Sequence, residues 1–146
     1  MYFTDETESK RTGLVLELSE SLESSGCQII GANGISGCPM PPFLHNDGYG
    51  DQKSKMPDIL AYDQKTKEFI VGIARVSRAE LESERALTEY DVFFDQKDNN
   101  GKPYRVVIIA PPELASEVAS VVTHYIHREL WHLLTIVAGK SKMQDL

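Results

Sequence analysis

The sequence predicts an α/β domain built on one mixed sheet, and three features of it carry that prediction. Residues 57–63 (PDILAYD) and 68–76 (EFIVGIARV) read as two strands joined by the polar turn Gln64-Lys65-Thr66-Lys67. A third apolar run, residues 104–110 (YRVVIIA), stands between two stretches of helical character, the pattern of a strand covered by helices. The chain is 146 residues long with 41% hydrophobic and 25% charged residues, which suits one packed domain and excludes a disordered chain. A single domain over 1–146 is expected, with residues 1–11 as a flexible N-terminus.

Taken in order, residues 12–25 place Leu14, Leu18 and Leu22 on one helical face, and Gly26 suits the position just past the helix end. Residues 27–31 (CQIIG) are a short buried-strand candidate. The Gly- and Pro-rich stretch from Gly31 to Asp51 is long for a loop in a compact domain, and such loops are more often functional than accidental. The near-continuous apolar second arm of the hairpin predicts a central strand covered on both faces. Ser77 and Glu80 have capping-box spacing, so one helix is expected from about Arg78 to about Phe94. Asp98-Asn99-Asn100-Gly101 reads as a turn. Pro111-Pro112 opens another helix, from Glu113 to about Arg128. The stretch Trp131 to Val137 suits a last strand through its β-branched end, Thr135, Ile136 and Val137. The spacing of Ile126, Leu130, Leu133 and Val137 would also suit a continued helix. The expected order is α-β-β-β-α-β-α-β.

Pro57-Asp58 opening the second strand, the hairpin of the right length, and the strand end Val71-Gly72-Ile73-Ala74-Arg75 together resemble the PD-(D/E)XK, or restriction endonuclease-like, superfamily. The resemblance runs from the first helix to the helix after Pro111-Pro112. It implies an αβββαβ core and a nuclease-type centre at the ends of the two hairpin strands. Family members carry an acid, any residue, then lysine where this chain has Ile73, Ala74 and Arg75, so the motif here is degenerate.

Strand alternation puts Asp58, Leu60 and Tyr62 on one side of their strand, and Phe69, Val71, Ile73 and Arg75 on one side of theirs. Of the residues that the resemblance marks as catalytic, Asp58 and Arg75 are therefore expected to share a cleft with Ile73. Mg²⁺ wants oxygen ligands in near-octahedral geometry, and the Ile73 side chain offers none. Arg75 is permanently protonated and so cannot act as a base, though it can hold a phosphate. The resemblance thus implies a domain that has lost metal-dependent nuclease activity and serves as a nucleic-acid-associated binding or assembly module, with no cofactor. The alternative is an active Mg²⁺-dependent DNA nuclease whose second acid has migrated. Glu17 is the candidate metal ligand beside Asp58, and Glu20, Glu82 and Glu84 are further acids to weigh; all four read first as solvated helix faces.

Lys53 and Lys55, with Arg75, are the candidate nucleic-acid contacts, and Phe43 and Tyr49 could stack on bases. The net charge of −7 argues against broad nonspecific DNA binding. His124, His127 and His132 lack the spacing of a zinc-protease motif, and Cys27 and Cys38 lack that of a zinc site. The glycines from Gly31 to Gly50 form no phosphate-binding loop. A third reading is a structural homodimer formed through Leu130, Trp131, Leu133 and Leu134. No secretory signal or membrane-spanning run is present, no membrane partner is expected, and the expectation is a cytoplasmic protein with both thiols reduced.

Overall fold

In the computed structural model, residues 5–45 and 54–140 are described, with side chains from residue 7 onward. The first helix, α1 (Asp5–Ser24), leads through Gly26, whose φ of 96° is the left-handed conformation that ends a helix cheaply only with glycine, into β1 (Cys27–Ala32). The hairpin strands are β2 (Ile59–Asp63) and β3 (Glu68–Ala74). Asp63 fixes their turn: its Oδ1 accepts from the amides of Lys65 (2.9 Å) and Thr66 (3.3 Å). Helix α2 (Glu84–Phe93), β4 (Arg105–Ala110), α3 (Pro112–Tyr125) and β5 (Leu134–Ala138) complete the order. The fold is the α/β class that the sequence predicts.

The five strands lie in sequence order across one sheet. β2 is antiparallel to β1 and β3, whereas β3, β4 and β5 run parallel. Parallel neighbours need crossovers, and α2 and α3 supply them. Both pack on one face, where Tyr90, Phe93, Leu114, Val118 and Val122 meet Val71, Ile73 and Ile108. α1 covers the other face, where Leu14, Val15 and Leu18 meet Ile59, Ile70 and Ile109. The central strands are buried on both sides, as their continuous apolar sequence requires.

Four boundaries differ from the sequence expectation, the mildest being α3, which ends at Tyr125 rather than near Arg128. α1 starts at Asp5, well inside the expected flexible N-terminus. Arg11 anchors this extra turn, donating to the Ala74 carbonyl at 3.0 Å and pairing with Glu80. The single helix expected from Arg78 is a 3₁₀ turn, Arg78–Glu80, followed by a separate α2. Glu80 accepts from the Val76 amide (2.8 Å) and pairs with Arg11, which takes it out of the expected box, and Ser77 makes no side-chain cap. Ser83 caps α2 instead, accepting from the Ala86 amide at 3.1 Å. In the last stretch the strand is present but later than expected: Arg128–Leu133 form a 3₁₀ segment and β5 follows.

The chain between Ala32 and β2 also has a defined path up to His45. Cys38 packs on the α1 face and Leu44 on the α2/α3 face, so the segment between them wraps the outer edge of β1. The Ala32 amide donates to the Pro39 carbonyl at 2.9 Å. Gly31 lets this strap lie close, since a Cβ there would sit 2.8 Å from backbone atoms of Pro41. Pro39, Pro41 and Pro42 have no N–H to offer, so the strap covers the edge without making a new pairing edge.

Candidate functional site

Asp58 sits one step before β2 and continues its ladder, donating its amide to the Gly72 carbonyl at 3.0 Å. The β2–β3 register pairs Ile59 with Gly72, so the next step places Asp58 opposite Ile73. Opposed residues share a sheet face, and Arg75 lies on that face two residues beyond Ile73. The juxtaposition of Asp58, Ile73 and Arg75 read from strand alternation is therefore present. It lies where β3 ends beside β4, at the carboxyl ends of the parallel strands.

All three are engaged within the fold, by packing or by hydrogen bonds. Ile73 is 2% exposed and packs in the apolar layer under α2. Asp58 Oδ2 accepts from the Ala74 amide at 2.8 Å. Burial of this carboxyl raises its pKa above the usual carboxylate value; the Ala74 amide, Arg11 and Arg75 pull the other way, and the charge of Glu89 adds to the rise. Arg75 does not face an open cleft. Its Nη2 donates to Glu89 Oε1 at 2.8 Å, and both side chains are only 7% exposed. Burial disfavours the guanidinium charge, but Glu89 and Tyr90 outweigh it and raise the Arg75 pKa further. The Tyr90 ring centroid lies 5.3 Å from the guanidinium carbon, within cation–π range. Tyr90 donates its hydroxyl to the Leu81 carbonyl at 2.7 Å, holding the break between the 3₁₀ turn and α2. Arg75 Nε is buried with no hydrogen-bond partner among the described residues.

Glu89, Tyr90 and Arg11 are members of this cluster that sequence reasoning passes over, and it reads Glu80 only as a helix cap. Glu89 had a legible signal. It falls three residues after Ala86 and four before Phe93, on the buried stripe of α2, where an unpaired acid would be costly. Arg85, one turn earlier, donates from Nε to Glu89 Oε2 at 3.3 Å, so both Glu89 oxygens are occupied. Arg11 carries no such signal, and the signal of Glu80 points to a cap at Ser77 rather than to Arg11.

The other candidates lie elsewhere. Glu17 is on α1, over the opposite face of the sheet, where its Oε2 accepts from the Lys140 amide at 2.8 Å. Lys140 follows β5, three strands from β2 and so about 14 Å across the sheet. Glu17 therefore does not join Asp58 as a metal ligand. Glu20 is exposed beside the same strand, Glu82 accepts from the Tyr125 hydroxyl at 2.9 Å, and Glu84 is exposed at the start of α2. Among the described residues no group of three His, Cys, Asp or Glu could hold a metal ion. Lys55 is tied by its backbone to Leu44, at 2.7 and 2.8 Å. Lys53 and Tyr49 lie outside the described residues, and Phe43 is exposed on the strap. His127 pairs loosely with Glu129 at 4.0 Å, and His124 stacks edge-on against Tyr125. Both cysteines are free thiols. Among the described residues no helix is long and apolar enough to cross a membrane.

Compared with known proteins, the chain matches no family model, no curated protein and no solved structure. Its chemistry is therefore argued from the cluster alone. One guanidinium is held by one carboxylate in a dry layer, beside a second carboxyl tied to a backbone amide. That arrangement can fix the end of β3 against α2. Within it both Glu89 oxygens and one Asp58 oxygen are already engaged.

Proposed function

We propose that this chain is a restriction endonuclease-like domain that has no metal-dependent nuclease activity and acts as a nucleic-acid-associated binding or assembly module. The observation that carries this reading is the buried Arg75–Glu89 pair. Arg75 supplies, from within the chain, the positive charge that a divalent ion would bring to the acids on this face. Ile73 removes a carboxylate at the place the motif needs one, and Asp58 is engaged by Ala74. The donor set does not suit Mg²⁺, which prefers several oxygens in near-octahedral array. Cleavage assays with Mg²⁺ and Mn²⁺ on single-stranded, duplex and branched DNA test the proposal. No cutting above background is expected, and robust cutting abolished by Asp58→Ala contradicts it.

One observation favours a second reading, an active nuclease with a migrated acid. Glu89 is a second carboxylate near enough to Asp58 to raise its pKa. For it to serve a metal, Arg75 would have to leave the pair. Under that reading Glu89→Gln abolishes metal-dependent cutting, and under the first reading there is no cutting to abolish.

A further inference from the structure

The dipeptide Asn-Gly occurs twice in the chain, at Asn33-Gly34 and at Asn100-Gly101. A glycine after asparagine carries no Cβ to shield its backbone nitrogen from the asparagine side-chain carbonyl. Attack of that nitrogen on the carbonyl is what makes asparagine thermolabile. The attack needs an amide that is free to give up its proton. A hydrogen bond from the amide retains the proton and fixes the nitrogen in place. The two dipeptides differ in this respect.

Asn100-Gly101 belongs to a tightly tied turn. The Gly101 amide donates to the Asp98 carbonyl at 3.0 Å. Asp98 Oδ1 accepts from the amides of Asn100 at 2.8 Å and Lys102 at 2.9 Å, so each amide from Asn100 to Lys102 has a partner. Asn33-Gly34 lies where β1 runs out into the strap. The Asn33 amide donates to the Asp58 carbonyl at 2.8 Å, which holds this residue against the start of β2. The Gly34 amide makes no hydrogen bond among the described residues. Gly34 is exposed and Asn33 is partly so. A Cβ at Gly34 would meet nothing nearer than Thr12 Oγ1 at 3.7 Å, so there is room around this backbone.

We propose that Asn33 is a site of spontaneous deamidation, and that the turn at Asp98 protects Asn100. Hydroxide takes the proton of the Gly34 amide, and the Gly34 nitrogen bonds to Asn33 Cγ. The bond from Cγ to the side-chain nitrogen breaks, and that nitrogen takes a proton from water and leaves as ammonia. Water then opens the five-membered succinimide. Breaking the bond from the Gly34 nitrogen to Cγ gives aspartate. Breaking its bond to the Asn33 backbone carbonyl carbon gives isoaspartate, whose main chain runs through the former side chain. Either product carries a new negative charge beside the Asp58 backbone. Isoaspartate also adds a methylene to the main chain between the Asn33 amide, fixed on Asp58, and the strap, fixed where the Pro39 carbonyl accepts from the Ala32 amide. The strap is thereby shifted along β1. This inference is independent of the Arg75 cluster and of whether the chain cleaves DNA.

Incubation of the full chain at mildly alkaline pH, with peptide mapping by mass spectrometry at intervals, tests it. Fragmentation separates isoaspartate from aspartate. In the folded chain Asn33 is expected to convert roughly three- to tenfold faster than Asn100, the population effect of one hydrogen bond. In urea, where neither turn is formed, the two sites are expected to convert at matching rates. Asp98→Ala loosens the turn and is expected to raise the rate at Asn100 while leaving that at Asn33 unchanged. Aged wild-type chain is expected to be cut faster within the strap than fresh chain. Asn33→Gln, whose longer side chain would have to close a six-membered ring, is expected to show no such change on ageing. A folded chain in which Asn100 converts while Asn33 stays intact, or a rate ratio that is the same in urea, would overturn the proposal.

Discussion

Arg75 and Glu89 form an ion pair at 2.8 Å that is shut from solvent on both sides and joins the end of β3 to the middle of α2. A buried pair gains Coulomb energy in a low dielectric but has lost two hydration shells, so its net worth is small while the cost of breaking one half is large. Glu89→Ala should therefore destabilise the fold by about 3–5 kcal/mol, since Arg75 would be left charged and uncompensated. Replacing both partners, Arg75→Met with Glu89→Leu, should come within about 1–2 kcal/mol of wild type. Urea denaturation of the two variants measures the contrast, and a double variant as unstable as the single one would refute it.

Asp58 gives a pH dependence whose sign follows from its raised pKa. At low pH the carboxyl is protonated in both folded and unfolded chains, and the folded state bears no penalty. As pH rises through the ordinary carboxylate range, the unfolded chain releases its proton while the folded chain holds it. The contribution of Asp58 is thus fully present below that range and is lost as pH climbs from there through the folded value. Asp58→Asn keeps an oxygen to accept from the Ala74 amide and has no proton to lose. It should match wild type near the acid limit and exceed it in stability at neutral pH, as read from thermal melts across pH. A variant less stable than wild type at neutral pH would argue that the ionised carboxylate is needed.

The break between the 3₁₀ turn and α2 makes the two serines unequal. Ser83 satisfies an otherwise orphaned amide, so Ser83→Ala should cost about 1 kcal/mol. Ser77 makes no such bond, and Ser77→Ala should cost less than half of that. Chemical denaturation distinguishes this from one continuous helix capped by Ser77, for which the order would be reversed.

Gly31 is a close-approach glycine. Its added Cβ would meet the Pro41 backbone at 2.8 Å, a clash that rigid backbone cannot relieve without moving the strap. Gly31→Ala should cost about 1–3 kcal/mol, the usual penalty of overpacking, and should speed proteolysis within the strap. Limited proteolysis with mass mapping reads the second effect directly, and an unchanged cleavage pattern would count against a strap seated on Gly31.

Much of the fold was legible because it rests on local signals. Strand alternation placed Asp58, Ile73 and Arg75 on one face, and the continuous apolar run of β3 marked it as central. The helix boundaries failed where long-range partners compete with local ones. Glu80 looked like a capping residue for Ser77, but Arg11, 69 residues away, and the Val76 amide hold it instead. The site was half legible for a related reason. The residues of the motif are local in sequence, whereas Glu89 becomes their partner only when α2 crosses back over the sheet. Arg75 read as a phosphate contact because its type fits one, and nothing in the sequence states that its charge is already spent. The strap was marked as unusual by its prolines, and its direction around β1 depended on where Cys38 and Leu44 found apolar neighbours.

The central claim is that Arg75 supplies the positive charge on the face shared with Asp58, in place of a divalent ion. Titration with Mn²⁺, followed by the electron paramagnetic resonance signal of the free ion, tests this most directly. The account predicts no saturable site on the wild-type chain, and the same free-ion curve for wild type and Asp58→Ala. A stoichiometric site that disappears with Asp58→Ala would contradict it.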